Sequence, residues 1–390
     1  AIPFKWLHVS TLWVYRAITW AVIGCAFVFA LVIVAVRFWV LPNMADYREP
    51  IERHLSEATH QRITIGRIAG RWSGLNLQLT LGDIVVYDRA GQPALTLQRV
   101  DSTLSWWSLL LWEPRFDSIE IARPDLAVKR DARGVLSVAG IELSDHPDGG
   151  GLSDWLLRQE EIGIRDAAIT WHDELRGAPK LALEHVDFRF ENDGRHHRFG
   201  LRAEPPRSLA TPLDVRGDFT GRTVTDLAQW NGQLFAQLEY TDIAAWRAWV
   251  PFPVSFPHGA GAVRAWLGLK NGELADIIAD VQLSQVKTRL GADLPELDLA
   301  QLKGRVGWKM LDDGFEVSTS RLGMSTNAYT LQPTDFLLRY HRGAGARPAR
   351  GELQANALDV EPLVALADHL PFEPALRKEF ETYAPRGSFY

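Results

Sequence analysis

From Leu75 to Leu81 the chain alternates strictly, with Leu75, Leu77, Leu79 and Leu81 apolar and Asn76, Gln78, Thr80 and Gly82 not. Period two puts one set on each face of a β-strand. The alternation returns at Leu95/Leu97, Ile119/Ile121, Leu126/Val128, Ile162/Ile164, Leu181/Leu183, Phe188/Phe190, Phe199/Leu201 and Leu213/Val215. It continues at Leu234/Ala236/Leu238, Ile277/Ala279/Val281/Leu283, Leu297/Leu299 and Val306/Trp308. Turn chemistry separates these runs: Asp88 to Gly91, Asp131 to Gly134, Asn192-Asp193-Gly194, Asn271-Gly272 and Asp312-Asp313-Gly314 all suit hairpin bends. The pattern predicts a mainly β chain, and sequential antiparallel pairing is its simplest topology.

Helical signals are few. One covers Asp46 to Thr59, and short ones follow at Leu104 to Leu111, Leu152 to Gln159, Thr241 to Trp249, Val360 to His369 and Ala375 to Tyr383. A dozen or more half-apolar strands must hide their apolar face by closing, by stacking on a second sheet, or under helices. Helices are too few for the last. A sandwich, a closed barrel, or a curved sheet whose apolar face receives something else, such as lipid, all fit the pattern.

Before the strands, Ala17 to Val36 are twenty consecutive uncharged residues between Arg16 and Arg37. As a helix they span about 30 Å, the thickness of bilayer hydrocarbon. Trp6, Trp13 and Trp20 repeat every seven residues on one helix face, and Trp39 marks the other end, as aromatic belts do. A cleaved signal peptide would have a shorter apolar core, and no small-x-small site follows Val36, where the text runs RFWVLPNMADYR. The segment reads as an uncleaved transmembrane anchor. Lys5 and Arg16 before it are matched by Arg37, Arg48 and Arg53 after it, so flanking charge leaves the orientation open.

Charge and cysteine content narrow the function classes. The 390 residues carry 42 Lys+Arg against 48 Asp+Glu, a net charge of −6, which gives no basic footprint for nucleic acid. Residues 1–45 hold three basic and no acidic groups, leaving 39 against 48 in a mildly acidic body. Cys25, the one cysteine, lies within the apolar segment and excludes a disulfide framework. No H-E-x-x-H, G-x-S-x-G or P-loop pattern occurs, and the Gly259/Gly261 and Gly343/Gly345 pairs read as loops. The stretch from Asp145 to Gly151 lacks the alternating carboxylates of a calcium loop and reads as a solvated linker. Adjacent His196 and His197 would face opposite sides of a strand, so they cannot share an ion, and they read as the exposed end of a hairpin. Nothing supports an enzyme, a metal site or a cofactor. The WWSLLLW run at 106–112 is either an interface anchor or a plug closing one end of a β-layer, and the plug is the simpler reading.

The anchor, then ITIGRIAGRWSGLNLQLTLGDIVVYD and TLQRVDSTLSWWSLLLWEPRFDSIEIARPDLAVKRDARGVLSVAG, resembles the opening of AsmA-like proteins of the YhdP type. Gly66, Gly70 and Gly74, the leucine alternation after them and the RPDLAVKRDARG turn carry the likeness. WNGQLFAQLEYTDIAAWRAWVP, GAVRAWLGLKNGELADIIADVQLSQV and LDVEPLVALADHLPFEPALRKEFETYAPRG extend it over nearly the whole chain.

The resemblance implies a Gram-negative envelope protein anchored in the inner membrane, with a cytoplasmic amino terminus and a periplasmic body. The body would be a long, curved antiparallel sheet, a β-taco or repeating β-groove similar to bridge-like lipid transfer proteins, carrying phospholipid toward the outer membrane. Acyl chains would lie against the Leu, Ile, Val and Phe of the alternating runs between Leu75 and Leu299, Leu213/Val215 apart. Residues 1–45 are then cytoplasmic start and anchor, 46–60 a linking helix, 61–150 a first groove repeat, 151–358 further repeats, and 359–390 a helical connection. Proteins of this type are far longer, so the chain reads as an amino-terminal portion. The related TamB group implies an alternative, a structural or assembly factor for outer-membrane proteins acting through sheet-edge pairing.

Overall fold

The computed structural model describes residues 5–59, 61–74, 76–88, 91–106, 116–142, 159–221, 229–250, 255–291, 293–327, 329–343, 348–369, 382–383 and 387–389. The expected helices at Leu104 to Leu111, Leu152 to Gln159 and Ala375 to Tyr383 lie mostly outside these residues.

Helix α1 (Lys5–Ala35) runs through a π-turn at Val36–Val40 and a 3-10 stretch at Leu41–Tyr47 into α2 (Arg48–Thr59). Among the described residues this is the one helical run apolar enough to cross a membrane, and its large side chains, from Trp13 through Trp39, are exposed. An apolar surface left bare over that length belongs in hydrocarbon rather than water.

The strands are β1 (Ile63–Ser73), β2 (Asn76–Tyr87), β3 (Pro93–Leu104), β4 (Phe116–Ala122), β5 (Asp125–Arg130), β6 (Leu136–Val138), β7 (Ile141–Glu142) and β8 (Glu161–Asp173). There follow β9 (Leu181–Asp193), β10 (His196–Glu204), β11 (Leu213–Thr220), β12 (Asn231–Asp242), β13 (Ser255–Lys270), β14 (Glu273–Arg289), β15 (Leu297–Leu311) and β16 (Gly314–Ser325). The last are β17 (Thr330–Thr334), β18 (Phe336–His341), β19 (Arg350–Ala355), β20 (Leu358–Asp359) and β21 (Ser388–Phe389). Short helices α3 (Ile243–Trp246) and α4 (Val360–Leu366) complete the fold.

Strands β1 to β19 form one sheet of 19 strands. Strand accounts for 60% of the chain, so the few helices cannot cover it. Among the described residues β1 pairs only with β2 and β19 only with β18, so the sheet is open rather than a barrel. Neighbours in sequence pair antiparallel with two departures, one of them at β16, along which β17 and β18 both pair end to end. At the other, strands β4 and β5 both lie parallel to β8, end to end along it, so together they fill a single strand's place. The break falls at Arg123, whose backbone is left-handed (φ 50°), followed by Pro124, which cannot donate to a ladder. At the far end of β5, Arg130 ties the strand to β8 through both carboxylate oxygens of the buried Asp173, holding that carboxyl below the usual range.

Strict alternation is interrupted once along many strands. Two consecutive residues face out at Gly66–Arg67, Gln98–Arg99, Arg165–Asp166, Glu184–His185, Ser284–Gln285, Ala300–Gln301 and Ser320–Arg321. Left-handed backbone at Asp83, Asp166, His185, Gln285 and Arg321 accommodates these slips. Register shifts accompany them between β8 and β9, β9 and β10, and β15 and β16. Such irregularities bend a strand. Because they are aligned across neighbours, the sheet creases along a line. The deepest apolar side chains flank it: Leu81 and Ile84, Leu97 and Val100, Ala167, Val186, Leu283 and Val286.

At Gln285 (φ 51°) the fold needs a conformation that side chains resist. Gln285→Gly is expected to hold stability within about 1 kcal/mol, whereas Gln285→Val should lose about 1–2 kcal/mol, measured by denaturant unfolding.

Candidate functional site

Pairing register carries the inner face unbroken across the sheet. One row runs Leu79, Ser102, Ile119, Ile162, Phe190, Phe199, Gly217, Leu234, Leu267, Ile277, Trp308, Val317, Leu338 and Leu353, from β2 to β19. The neighbouring row runs Leu81, Val100, Ile121, Ile164, Phe188, Leu201, Val215, Ala236, Ala265, Ala279, Val306 and Thr319. Leu77, Leu95, Leu97, Leu126, Val128, Leu181, Leu183, Leu238, Val281, Leu283, Leu297 and Leu299 sit on the same face by the same registers. Leu75 lies outside the described residues.

Two stretches of this face are covered. Over β1 to β4, Leu41, Met44, Ile51 and Leu55 pack on Leu79, Leu81, Ile84 and Val100. Gly70 permits this, because a Cβ there would overlap Leu41 and crowd Met44. The lid is pinned by the Ile65 N–H donating to Glu52 Oε1 at 2.7 Å and the Ile63 N–H to Ser56 Oγ at 3.0 Å. Over β14 and β15, Ile243 of α3 and Leu366 of α4 join Leu283, Val286, Leu297 and Leu299. Between the covers Val186 and Ala203 are buried with Ala167, but the inner side chains Phe188, Phe199, Leu201, Leu234, Leu238 and Leu267 of β9 to β13 are only half buried. There the groove is open.

The open section begins with aromatic rings. Phe188 and Phe199 lie 6.3 Å apart, Phe199 and Phe219 stack at 6.0 Å, and Gly217 leaves room for both rings of the second pair. His197 corrects the expectation that both histidines are exposed. It is 2% exposed, stacked 5.0 Å from Trp230 and 6.0 Å from Phe190, while His196 faces out and bonds Asp218 at 2.6 Å. Opposite facing was legible from strand geometry; that a histidine would join an aromatic stack on the apolar side was not.

The outer face carries ion pairs in the same registers: Arg67 with Asp83, Arg165 with Glu120, Arg305 with Asp280 and Arg339 with Glu316. Hydrogen bonds from Arg305 hold the Asp280 carboxyl below its usual range. A hollow of about 960 Å³ against β12 to β17 is lined by polar residues such as Arg264, Asp280, Lys303 and Arg305 together with Leu238, Val263 and Val281. Trp106, the described residue of the tryptophan-rich run, lies 5.0 Å from Phe29 of α1 and 6.1 Å from Trp72 of β1.

Fold and site together define an open β-groove protein: a creased sheet with one continuous apolar face, half covered, carried on a helix apolar enough to span a membrane. The YhdP protein family model matches residues 8–389, and the chain belongs to that family. No curated protein and no solved structure matches it.

Leu79→Asp, beneath the lid, is expected to cost on the order of 3–5 kcal/mol because its charge stays buried and unpaired. Leu234→Asp, half buried in the open section, should cost roughly half that or less, since its carboxylate reaches water; denaturant unfolding of both separates sealed from open groove. Burial lowers the His197 pKa from its ordinary 6.5, with the Gly221 backbone as the nearby polar group. The unfolded chain therefore takes up the proton first, and stability present above that value is lost as pH falls. His197→Phe should flatten this part of the decline in unfolding midpoint between about pH 7 and pH 5.

Proposed function

We propose that this protein is a single-pass inner-membrane protein, amino terminus cytoplasmic and body periplasmic, whose groove carries phospholipid between inner and outer membranes. The observation that carries the reading is the pair of apolar rows joining β2 to β16 and beyond, with a half-exposed middle. Acyl chains would complete what the fold leaves bare. Burial is worth about 0.8 kcal/mol per CH₂, so two long chains are held strongly against water yet meet similar walls from one strand to the next. That profile suits sliding. Directional drive would come from another component, and no catalytic role is assigned to any residue of the chain.

A second reading, an assembly factor working by strand addition, draws on β19. Its outer edge has no partner among the described residues, and Leu353 on it is 60% exposed.

Photo-crosslinkers at Phe188 and Ile277, inside, are expected to capture phospholipid in cells, while Arg189 and Gln282, outside, should not. Phe188→Asp and Ile277→Asp, confirmed folded, should each alone abolish outer-membrane integrity, because the positions lie in series. Absent adducts inside, or normal integrity with both charged, would overturn the conduit and favour the edge.

A further inference from the structure

The rings of Phe29, Trp106 and Trp72 form a continuous contact from the membrane helix to the first hairpin. Phe29 lies seven residues before Val36, the end of the uncharged run, so it sits about 10 Å inside the apolar segment. A side chain in contact with it shares that depth. Trp72 closes β1 on the inner face, opposite Leu77, and Leu77 in turn pairs with Leu104 of β3. The lid formed by Leu41 and Met44 stops at Gly70, one inward position short of Trp72.

From this juxtaposition we infer that Trp72 and Trp106 are a second membrane-inserted element, and that the groove opens sideways into the acyl layer of the leaflet rather than above its headgroups. The inference rests on Ala17 to Val36 spanning the bilayer and deepens the proposed conduit by assigning its membrane port to Trp72, Leu77, Leu104 and Trp106.

Three features agree with it. At this end the contacts of Leu41 and Met44 reach Gly70, and Trp72, Leu77 and Leu104 beyond it are half buried, so the port is where bilayer hydrocarbon can take the place of the lid's side chains. The backbone of the hairpin tip is paired from Trp72–Leu77 to Ser73–Asn76, which leaves few unsatisfied groups to desolvate. Arg71, one residue above Trp72, bonds Gln78 at 3.0 Å on the opposite face, and its long side chain can extend toward phosphate headgroups. A lipid could then pass from bilayer to groove with its chains always against apolar surface and its headgroup always in water.

The test measures depth directly. The chain, with Cys25→Ser, receives one cysteine at Ser73→Cys, an exposed residue next to Trp72, or at Gln282→Cys on the outer face of β14 as a control. Each is labelled with a polarity-sensitive nitrobenzoxadiazole and reconstituted in vesicles of phosphatidylethanolamine and phosphatidylglycerol. At position 73 the emission should be blue-shifted, quenched by lipids spin-labelled on the acyl chain, and protected from aqueous iodide; at 282 the reverse is expected. Iodide quenching at 73 equal to that at 282 would overturn the port. A folded Trp72→Asp, Trp106→Asp double variant should lose the lipid adducts at Ile277 while α1 remains membrane-embedded by carbonate extraction. Retained adducts would also overturn it. Depth at 73 with no adducts anywhere in the wild-type groove would instead sink the conduit and leave the inserted element standing.

Discussion

Everything in this molecule follows from a ladder that must be satisfied strand by strand while one face of it stays apolar. Backbone N–H and C=O groups inside a sheet have to pair, and pairing fixes which side chains stand side by side. Once Leu79 is set opposite Ser102 and Ile119 opposite Ile162, the rows extend without further choice to Trp308 and Leu338. The apolar face is a property of the whole ladder rather than of any strand.

The ladder alone would give a twisted ribbon with a greasy side. Aligned slips turn it into a trough, and the cost is left-handed backbone at residues such as Asp166 and His185. That cost is offset locally: Asp187 accepts from the Asp166 N–H at 3.0 Å, and His185 bonds the Asp166 carboxylate at 2.8 Å. Asp335 does the same for the Arg321 N–H. Outside, alternating Arg and Asp or Glu on adjoining strands contribute little stability individually, being exposed. Their larger effect is to keep that face hydrated, so that two such sheets do not stack.

Cover is distributed unevenly, and that distribution bears on function. Where the sheet meets α1, the chain folds its own 3-10 and helical segments into the trough. Farther along, Ala236, Ala265 and Ala279 and their half-exposed neighbours have no such cover among the described residues. A water-filled apolar trough is unfavourable in proportion to its bare area, so any amphiphile that covers it stabilises the fold in the same step that it binds.

The sequence alone determined the class of structure. Period two, hairpin turns at Asn192-Asp193-Gly194 and Asn271-Gly272, and the uncharged run before Arg37 are local signals, and each corresponds to a strand, a turn or the helix. The paired positions of every described run also fell on one face. What strand text could not contain was the slip. Leu181 and Leu183 are odd-numbered and Phe188 and Phe190 even-numbered on one strand, and only the irregularity at Glu184–His185 puts them on the same side. The parallel joint at β8, the burial of His197 and the lid over Leu79 depend likewise on partners distant in sequence. Trp106 shows the reason most plainly: a plug and an interface anchor use the same apolar residue, and only the fold puts its ring 5.0 Å from Phe29 of α1.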